Sequence, residues 1–475
     1  MNKRLVYILS GTIGVLSLCV VLALTIFRPM TAKVYHNIQY LYEDLALQKI
    51  RAELYDYQPN SSRRVDVTAF TLSVPEALTA EEQALYARTV SQVLTQQLWT
   101  GRDMYDAAYT LMVPMHFAFS RDDQEKMEEF HQFFARFYQD ISTEDTQSFL
   151  EQPYNVDRIQ FLYFCCEYLR LCALTGTYDQ APEGLYNYLY GEMEYIFTEI
   201  PGNWGVEKNA QTHIEQVLLG KTYSRSYYGS LSDYDLIPLA GLCDLRVIAS
   251  LTGKSDTKLM KEAAHLAYSL YSSPNVITET EKGGWLFQVG VASDYPDFQY
   301  AGNTEVTPDI QPKPREDIVG DSSHFMEHAL WLSSFQQAQT YQEQFDLFQL
   351  RREQLANQLI NYVIHYVDGK PLATTFMDGT CGVYRYSYNE EGVGHQGYSL
   401  SSGLLYGWWS FLGDARINEI YADLLDQFPM TADLDNPYFD YATTREQNPF
   451  FDMKTKLENG MSECTVMLAG KIKGI

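Results

Sequence analysis

Along most of this chain the apolar residues recur at three- and four-residue spacing, the period of a helix that buries one face. That period, read with capping and breaking residues, predicts helices over roughly 80–98, 104–119, 122–141, 157–175, 183–198, 235–252, 257–272, 322–338, 341–366, 400–412 and 415–427. The first follows Pro75 and opens on Thr79-x-x-Glu82, a pair that satisfies free N–H groups of a helix start reciprocally. Strand patterns are few and short: Gly284–Val289 and the stretch around Tyr384–Tyr388. Two segments, Ser293–Pro314 and Asp368–Gly397, are long, without helical period and rich in Gly, Pro, Asn and Asp. Loops of that length in a compact domain usually carry function or motion. The expected fold class is all-α.

The period fails at the N-terminus. Lys3 and Arg4 are followed by Leu5–Phe27, an uncharged apolar run. As a helix it extends roughly 35 Å, enough for a hydrocarbon core of about 30 Å. Lys3 and Arg4 place residues 1–4 in the cytoplasm, although Arg28 and Lys33 weaken the asymmetry. The expectation is an uncleaved signal anchor over 5–27 in the plasma membrane of a bacterial cell, with the rest of the chain outside. Two alternatives also export the chain: cleavage at Val21-Leu-Ala23, or lipidation at Leu16-Ser-Leu-Cys19, which departs from a lipoprotein box at Leu18. Val34–Tyr57 reads as a membrane-proximal helix, and Gln58-Pro-Asn-Ser-Ser-Arg-Arg64 as a linker, so residues 28–65 lead into a main domain over 66–475.

Composition narrows the partners. The 475 residues carry 61 Asp and Glu against 35 Lys and Arg, a net charge of −26 that repels phosphate backbones and disfavours nucleic acid. Seven cysteines include no Cys-x-x-Cys pair, and Cys165, Cys166 and Cys172 fall in one apolar helix as small core residues. No cofactor is indicated.

A weak internal repeat then appears. Tyr168–Asp179 and Asp244–Asp256 share an apolar helix that ends at Gly (Gly176, Gly253) and a polar turn into a second helix, and Leu404–Asp414 echoes both with Gly413. Recurrent αα-hairpins predict a solenoid or a closed helical ring. These Leu-Thr-Gly hairpins, the Gly284-Trp-Leu286 turn and Glu316-Asp317-(x)4-Ser-Ser-His324 resemble the (α/α) toroid superfamily, which includes six-hairpin glycosidases, glucuronyl C5-epimerase-like proteins and alginate-type polysaccharide lyases. The resemblance covers roughly residues 150–430. It implies an (α/α) toroid or incomplete helical barrel, with loops at one end forming a cleft into which helix starts point.

The densest chemistry lies at Glu316–Trp331, with three carboxylates among its first six residues and two histidines at the head of an apolar helix. His324-x-x-Glu327-His328 is spelled like an inverzincin metal site, but no distant glutamate ligand accompanies it, so no metal is expected. Structural roles compete: Asp321, Ser322 or Ser323 as helix cap, His328 as a core histidine. Under the resemblance, Glu316, Asp317, Asp321 and His324 lie at the cleft floor. Glu316, Asp317 or Asp321 would be acid or base in hydrolysis; His324, His395 or Tyr398 would move the proton in an elimination. Trp204 and Trp285, in turns, are candidates to stack on sugar rings; His213 lies in the same polar stretch as Trp204, and Arg385 could pair with a uronate carboxylate. Ser232-Asp-Tyr-Asp235 precedes another helix and reads as either cleft residues or a cap. The functional expectation is a membrane-anchored extracytoplasmic protein that cleaves a polysaccharide by hydrolysis or elimination. The alternative is a non-catalytic helical module that binds a polysaccharide or a partner protein at the membrane surface.

Overall fold

The computed structural model describes residues 62–143, 149–386, 394–433, 435–439, 448 and 450–474, with Arg51, Leu54 and Tyr55. The expected anchor at 5–27 and most of the helix at Val34–Tyr57 lie outside the described residues. Among the described residues no helix is long and apolar enough to cross a membrane. The chain divides into two units, Met1–Gln58 and Pro59–Ile475, and every element below belongs to the second.

This unit is mostly helical. Its helices are α1 (Ala80–Arg88), α2 (Val90–Leu94), α3 (Asp103–Arg121), α4 (Gln124–Ser142), α5 (Val156–Thr175), α6 (Leu185–Glu199), α7 (Ala210–Leu218), α8 (Asp233–Thr252), α9 (Lys258–Ser272), α10 (His328–Gln337), α11 (Gln342–Gln358), α12 (Ala415–Leu425), α13 (Met453–Glu458) and α14 (Met461–Lys471). Two 3-10 segments, Ser399–Tyr406 and Trp408–Leu412, stand where an α-helix was expected over 400–412. The reason is local. Gly407 has φ +76°, and a Cβ there would lie 2.9 Å from that of Ala469; a Cβ on Gly403 would meet the Ser323 backbone at 3.2 Å. The chain tightens to fit between its neighbours. The helix expected over 80–98 breaks at Thr89, whose hydroxyl bonds back to the Leu85 carbonyl at 2.6 Å. The helix expected over 341–366 gives way to a π turn at Leu359–Val363 and a strand.

Among the described residues, strands form two antiparallel hairpins. β1 (Ile277–Glu279) pairs with β2 (Trp285–Phe287), in the expected place, and β3 (Ile364–Val367) pairs with β4 (Lys370–Ala373). Of the strand expected around Tyr384–Tyr388, Tyr384 forms an isolated bridge to His395, and residues 387 and 388 lie outside the described residues.

The packing runs in a cycle. α3 lies against α5, α5 against α8, α8 against α10, and α10 against Trp408–Leu412; α14 touches both 3-10 segments and returns to α3. A second set covers these: α4 on α3, α6 on α5 and α8, α9 on α8, α11 on α10, and α12 on α14. The two sets alternate along the chain. Four turns from inner to outer helices are short, at 122–123, 253–257, 338–341 and 413–414, and a fifth, 176–184, holds a 3-10 turn; Gly176 and Gly253 are left-handed C-caps. Returns from outer to inner helices are long, at 200–232, 273–327, 359–398 and 426–460. All the long segments therefore gather at the N-terminal ends of the inner helices.

Apolar side chains fill the space between the two sets. Trp331, Trp408 and Trp409 are buried there, as their helical positions suggest. At about 1.5–3 kcal/mol for each fully buried large side chain, this packing dominates the stability. The core also holds charge. Glu167 on α5 accepts from Arg170 (2.6 Å), Tyr163 and Ser334, and lies 3.0 Å from His116 on α3. Arg170 reaches Asp244 on α8 (3.2 Å) and Gln337 on α10 (2.7 Å). Four inner helices are thus joined by one fully buried polar network. The charge of Arg170 and the contact with His116 hold the Glu167 carboxyl below its ordinary range despite its burial. Burial, and then Glu167, push Asp244 well up, so one carboxylate balances one guanidinium.

Candidate functional site

The inner helix starts surround a cleft of about 390 Å³. α3 supplies Arg102 at its cap, then Tyr105, Asp106 and Tyr109; α8 supplies Asp233 and Tyr234. Ser323, His324 and Met326 come from the turn before α10, and Tyr384, Arg385 and His395 from the long loop before the 3-10 segments. Tyr406 and Lys456 close the rim. The starts of α3, α5 and α8 lie on this wall with Arg102, Val156 and Asp233, and helix N-termini favour negative charge beside them.

Asp321 organises one wall. Its Oδ1 accepts from the Ser323 and His324 backbone N–H groups (3.1 Å each) and from the Ser323 hydroxyl (2.6 Å), so it does cap the turn. It also holds His324 Nδ1 at 2.9 Å. The charges of His324 and Arg385 and these hydrogen bonds keep the Asp321 carboxyl well below the usual range, against the effect of burial. His324 is raised in turn by Asp321, although burial works against it. With Nδ1 fixed, Nε2 makes no hydrogen bond with the protein, and 31% of the His324 side chain remains exposed at the cleft. The arrangement holds a charged imidazole in one orientation.

A second titratable pair lies close by. Glu327 is fully buried, and the Tyr109 hydroxyl donates to its Oε1 at 2.5 Å. Its Oε2 has no hydrogen-bond partner in the protein. Burial first, and the Asp233 charge second, push Glu327 well up. Burial raises Asp233 too, while His324 pulls it back. Both carboxyls are thus held above their ordinary range, Glu327 the more strongly, with Asp233 on the cleft wall. The rings around this pair are tyrosines: Tyr105 stacks on Tyr109 at 4.3 Å, and Tyr109 on Trp408 at 5.0 Å. Arg102 lies over Tyr105 at 3.6 Å and is anchored by Asp157.

The residues singled out in the sequence separate into two groups. Asp321, His324, His395 and Arg385 come together: His324, His395 and Arg385 line the cleft, and Asp321 holds His324. Arg385 has φ +54° and bonds Asp297 at 2.9 Å. Glu316 and Asp317 are exposed and outside the cleft, with Asp317 turned to Arg315 at 3.0 Å. Tyr398 also lies outside it, bonded to His365 at 3.1 Å. Trp285 is a core residue whose Nε1 donates to the Arg351 carbonyl. Trp204 stands behind the rim, packed on Tyr295 and bonded to the Ser230 carbonyl. His213 is buried between Asp235 and the Tyr228 carbonyl, both at 2.9 Å, so both of its nitrogens carry protons. Asp235 also accepts from the Ser232 N–H, so in Asp-Tyr-Asp235 it is Asp235 that serves the helix start and Asp233 that remains for the cleft. In His-x-x-Glu-His, His324 belongs to Asp321, Glu327 to Tyr109, and His328 to a box of rings. Among the described residues no group of three or more His, Cys, Asp or Glu could hold a metal ion.

Arg102, Tyr105, Asp106 and Tyr109 carried no signal beyond the helical period, because only the closure of the cycle brings α3 beside α8 and α10. Comparison with models of known families, with curated proteins and with solved structures finds no match.

Proposed function

We propose that the second unit is an (α/α) toroid enzyme that cleaves a glycosidic bond in a polysaccharide by general acid–base chemistry. The cyclic packing and the alternation of inner and outer helices support the fold reading. The observation that carries the chemistry is that Asp233 and His324 line one cleft, His324 held by Asp321 at 2.9 Å, while burial and the neighbouring charges drive Asp233 and Asp321 in opposite directions. Neighbouring acids whose environments drive their proton affinities apart are how one site holds an acid and a base at the same pH. In hydrolysis, Asp233, held above the ordinary carboxyl range by burial, protonates the glycosidic oxygen, and an ionised carboxylate of the cleft activates water. The tyrosines offer flat faces with polar edges to sugar rings.

Elimination is the second reading, favoured by one observation. His324 Nε2 and Arg385 put two positive charges at the cleft, suited to a uronate carboxylate and to the charge that develops on it. Arg102 and Lys456 also lie on the wall, beside Asp106, Asp233 and Asp297, so the cleft gathers cations within a chain of net charge −26, which supports a substrate with carboxylates to pair with them. The anchor at 5–27 would hold the enzyme on the outer face of a membrane, close to cell-envelope or extracellular polysaccharide.

The test is incubation of the full-length protein with a panel of neutral and uronate polymers. New reducing ends without ultraviolet absorbance mark hydrolysis, and absorbance from a new double bond marks elimination. Binding without either, retained in Asp233→Asn, would replace the enzyme reading with a binding module.

A further inference from the structure

His213 on α7 is buried behind the cleft wall, and its two ring nitrogens face two acceptors. Nδ1 lies 2.9 Å from Asp235 Oδ1, and Nε2 lies 2.9 Å from the Tyr228 carbonyl oxygen. A neutral imidazole has a single N–H, so it would turn a lone pair on one of these oxygens. The imidazolium donates to both. Each acceptor belongs to a different part of the wall. Asp235 sits in the first turn of α8 and spends its other oxygen, Oδ2, on the Ser232 N–H at 2.9 Å, the cap of that helix. Asp233 follows Ser232 directly and lines the cleft. Tyr228 belongs to the 3-10 turn Ser226–Gly229, which leads through Ser230 to the same helix start. The Ser230 carbonyl in turn accepts from Trp204 Nε1 at 2.8 Å.

The surroundings hold the charge on the ring. From α8 it faces Asp235. From the loop it faces Tyr223, whose ring centre is 6.2 Å away, and Glu207, which is itself engaged by Lys221 at 2.6 Å and by the Tyr223 hydroxyl at 3.1 Å. Among the described residues, α6 and α9, which also pack on α7, give it no hydrogen-bond, ion-pair or ring partner. Burial opposes the charge, but Asp235, then the Tyr228 carbonyl and Glu207, outweigh it, so His213 is raised above its ordinary value. The nearby His324 is raised as well, and it acts on Asp233 from the cleft side.

We infer that His213 is a positioning residue for Asp233: as an imidazolium it latches the Ser226–Gly229 turn to the first turn of α8, and loss of one ring proton releases one end of that latch. The inference rests on the reading of Asp233 as a cleft acid and adds how that acid is held and at what pH it is released. The sign follows from the raised folded value. The latch is complete below the ordinary histidine value and weakens as pH rises through the folded one.

Two measurements on the full-length protein test this. In the first, the ring nitrogens are followed by NMR in protein labelled with nitrogen-15 histidine, with His213→Gln supplying the assignment. Both His213 nitrogens read as protonated at neutral pH, and the midpoint lies above the ordinary histidine value of about 6.5. In the second, amide hydrogen exchange of peptides covering 226–236 is measured by mass spectrometry across pH and corrected for the intrinsic rate. Protection there falls about tenfold as His213 titrates, the effect of one charge-assisted hydrogen bond, while peptides of α5 show no such step. His213→Gln, which can donate but cannot titrate, has reduced protection in 226–236 and no step. A residue that only fills space would lower protection at every pH alike. A His213 midpoint at or below the ordinary value, or a step that persists in His213→Gln and so belongs to His324, overturns the latch and leaves the cleft reading intact. Neither measurement needs a substrate, so failure of the polymer panel would remove the role of Asp233 as an acid without altering either result.

Discussion

Arg170→Met tests the buried charge network most directly. Arg170 is fully buried and supplies the positive charge between Glu167 and Asp244, while His116 beside it is kept neutral by burial. Its removal leaves Glu167 ionised among four helices with only neutral donors from Tyr163, Ser334 and His116. Breaking a buried ion pair from one side costs about 3–5 kcal/mol, because the remaining charge must stay desolvated or take up a proton. Unfolding entropy near 2.1 cal/mol/K per residue, over roughly 400 residues, gives about 0.85 kcal/mol/K, so the melting temperature falls by about 4–6 °C. Scanning calorimetry of the single variant and of Arg170→Met/Glu167→Gln separates charge from packing. The double variant keeps hydrogen-bond partners for the hydroxyls and carries no stranded charge, so it recovers at least about half of the loss. The reasoning is wrong if the single variant costs less than about 1 kcal/mol, or if the second substitution adds its own loss instead of relieving the first.

Three further outcomes are expected. Glu327 is raised in the folded chain, so between the ordinary carboxyl range and its folded value the native state binds more protons than the unfolded state, and stability falls as pH rises. Glu327→Gln keeps an acceptor for Tyr109 but cannot ionise, so melting temperatures measured from pH 5 to 8 decline less steeply than in the wild type. Asp321 charges His324, so the His324 ring protons titrate by NMR above about 6.5, and in Asp321→Asn the midpoint drops to or below that value; an unmoved midpoint would show that Asp321 does not set it. Gly290 has φ +79°, and a Cβ there would meet the Glu316 carbonyl oxygen at 2.5 Å, where Gly290 N–H bonds Ile318 at 2.8 Å. Gly290→Ala therefore costs about 1–3 kcal/mol, read as a lower urea midpoint, and loosens the segment that leads to Asp321.

The helical period carried most of the architecture, and it failed where the constraint came from distant residues. Thr79-x-x-Glu82 forms its capping box as spelled, with Thr79 N–H bonded to Glu82 at 2.7 Å. Ser399–Leu412 has helical spacing, yet adopts 3-10 turns because Ala469 and Ser323 leave no room for side chains at Gly407 and Gly403. The site behaved similarly. Asp321 and His324 are three residues apart, and their pairing follows from local turn geometry. Glu327 stood in plain view within His-x-x-Glu-His, but its partners Tyr109 and Asp233 are remote in the chain, and no spacing rule connects them. Glu316 and Asp317 drew attention by charge alone and lie in solvent.

The inequality of the connections has a consequence for how such a molecule changes. Among the described residues the longest connections, such as 200–232 and 273–327, lead into the helix starts at the cleft, and the turns at 253–257, 338–341 and 413–414 at the other end are tight. Insertions, deletions and grafted loops can therefore accumulate over the cleft and alter what it admits, while the opposite face stays the same. That constant face is where a fluorophore, an affinity tag or a surface tether can be attached with least disturbance to whatever occupies the cleft.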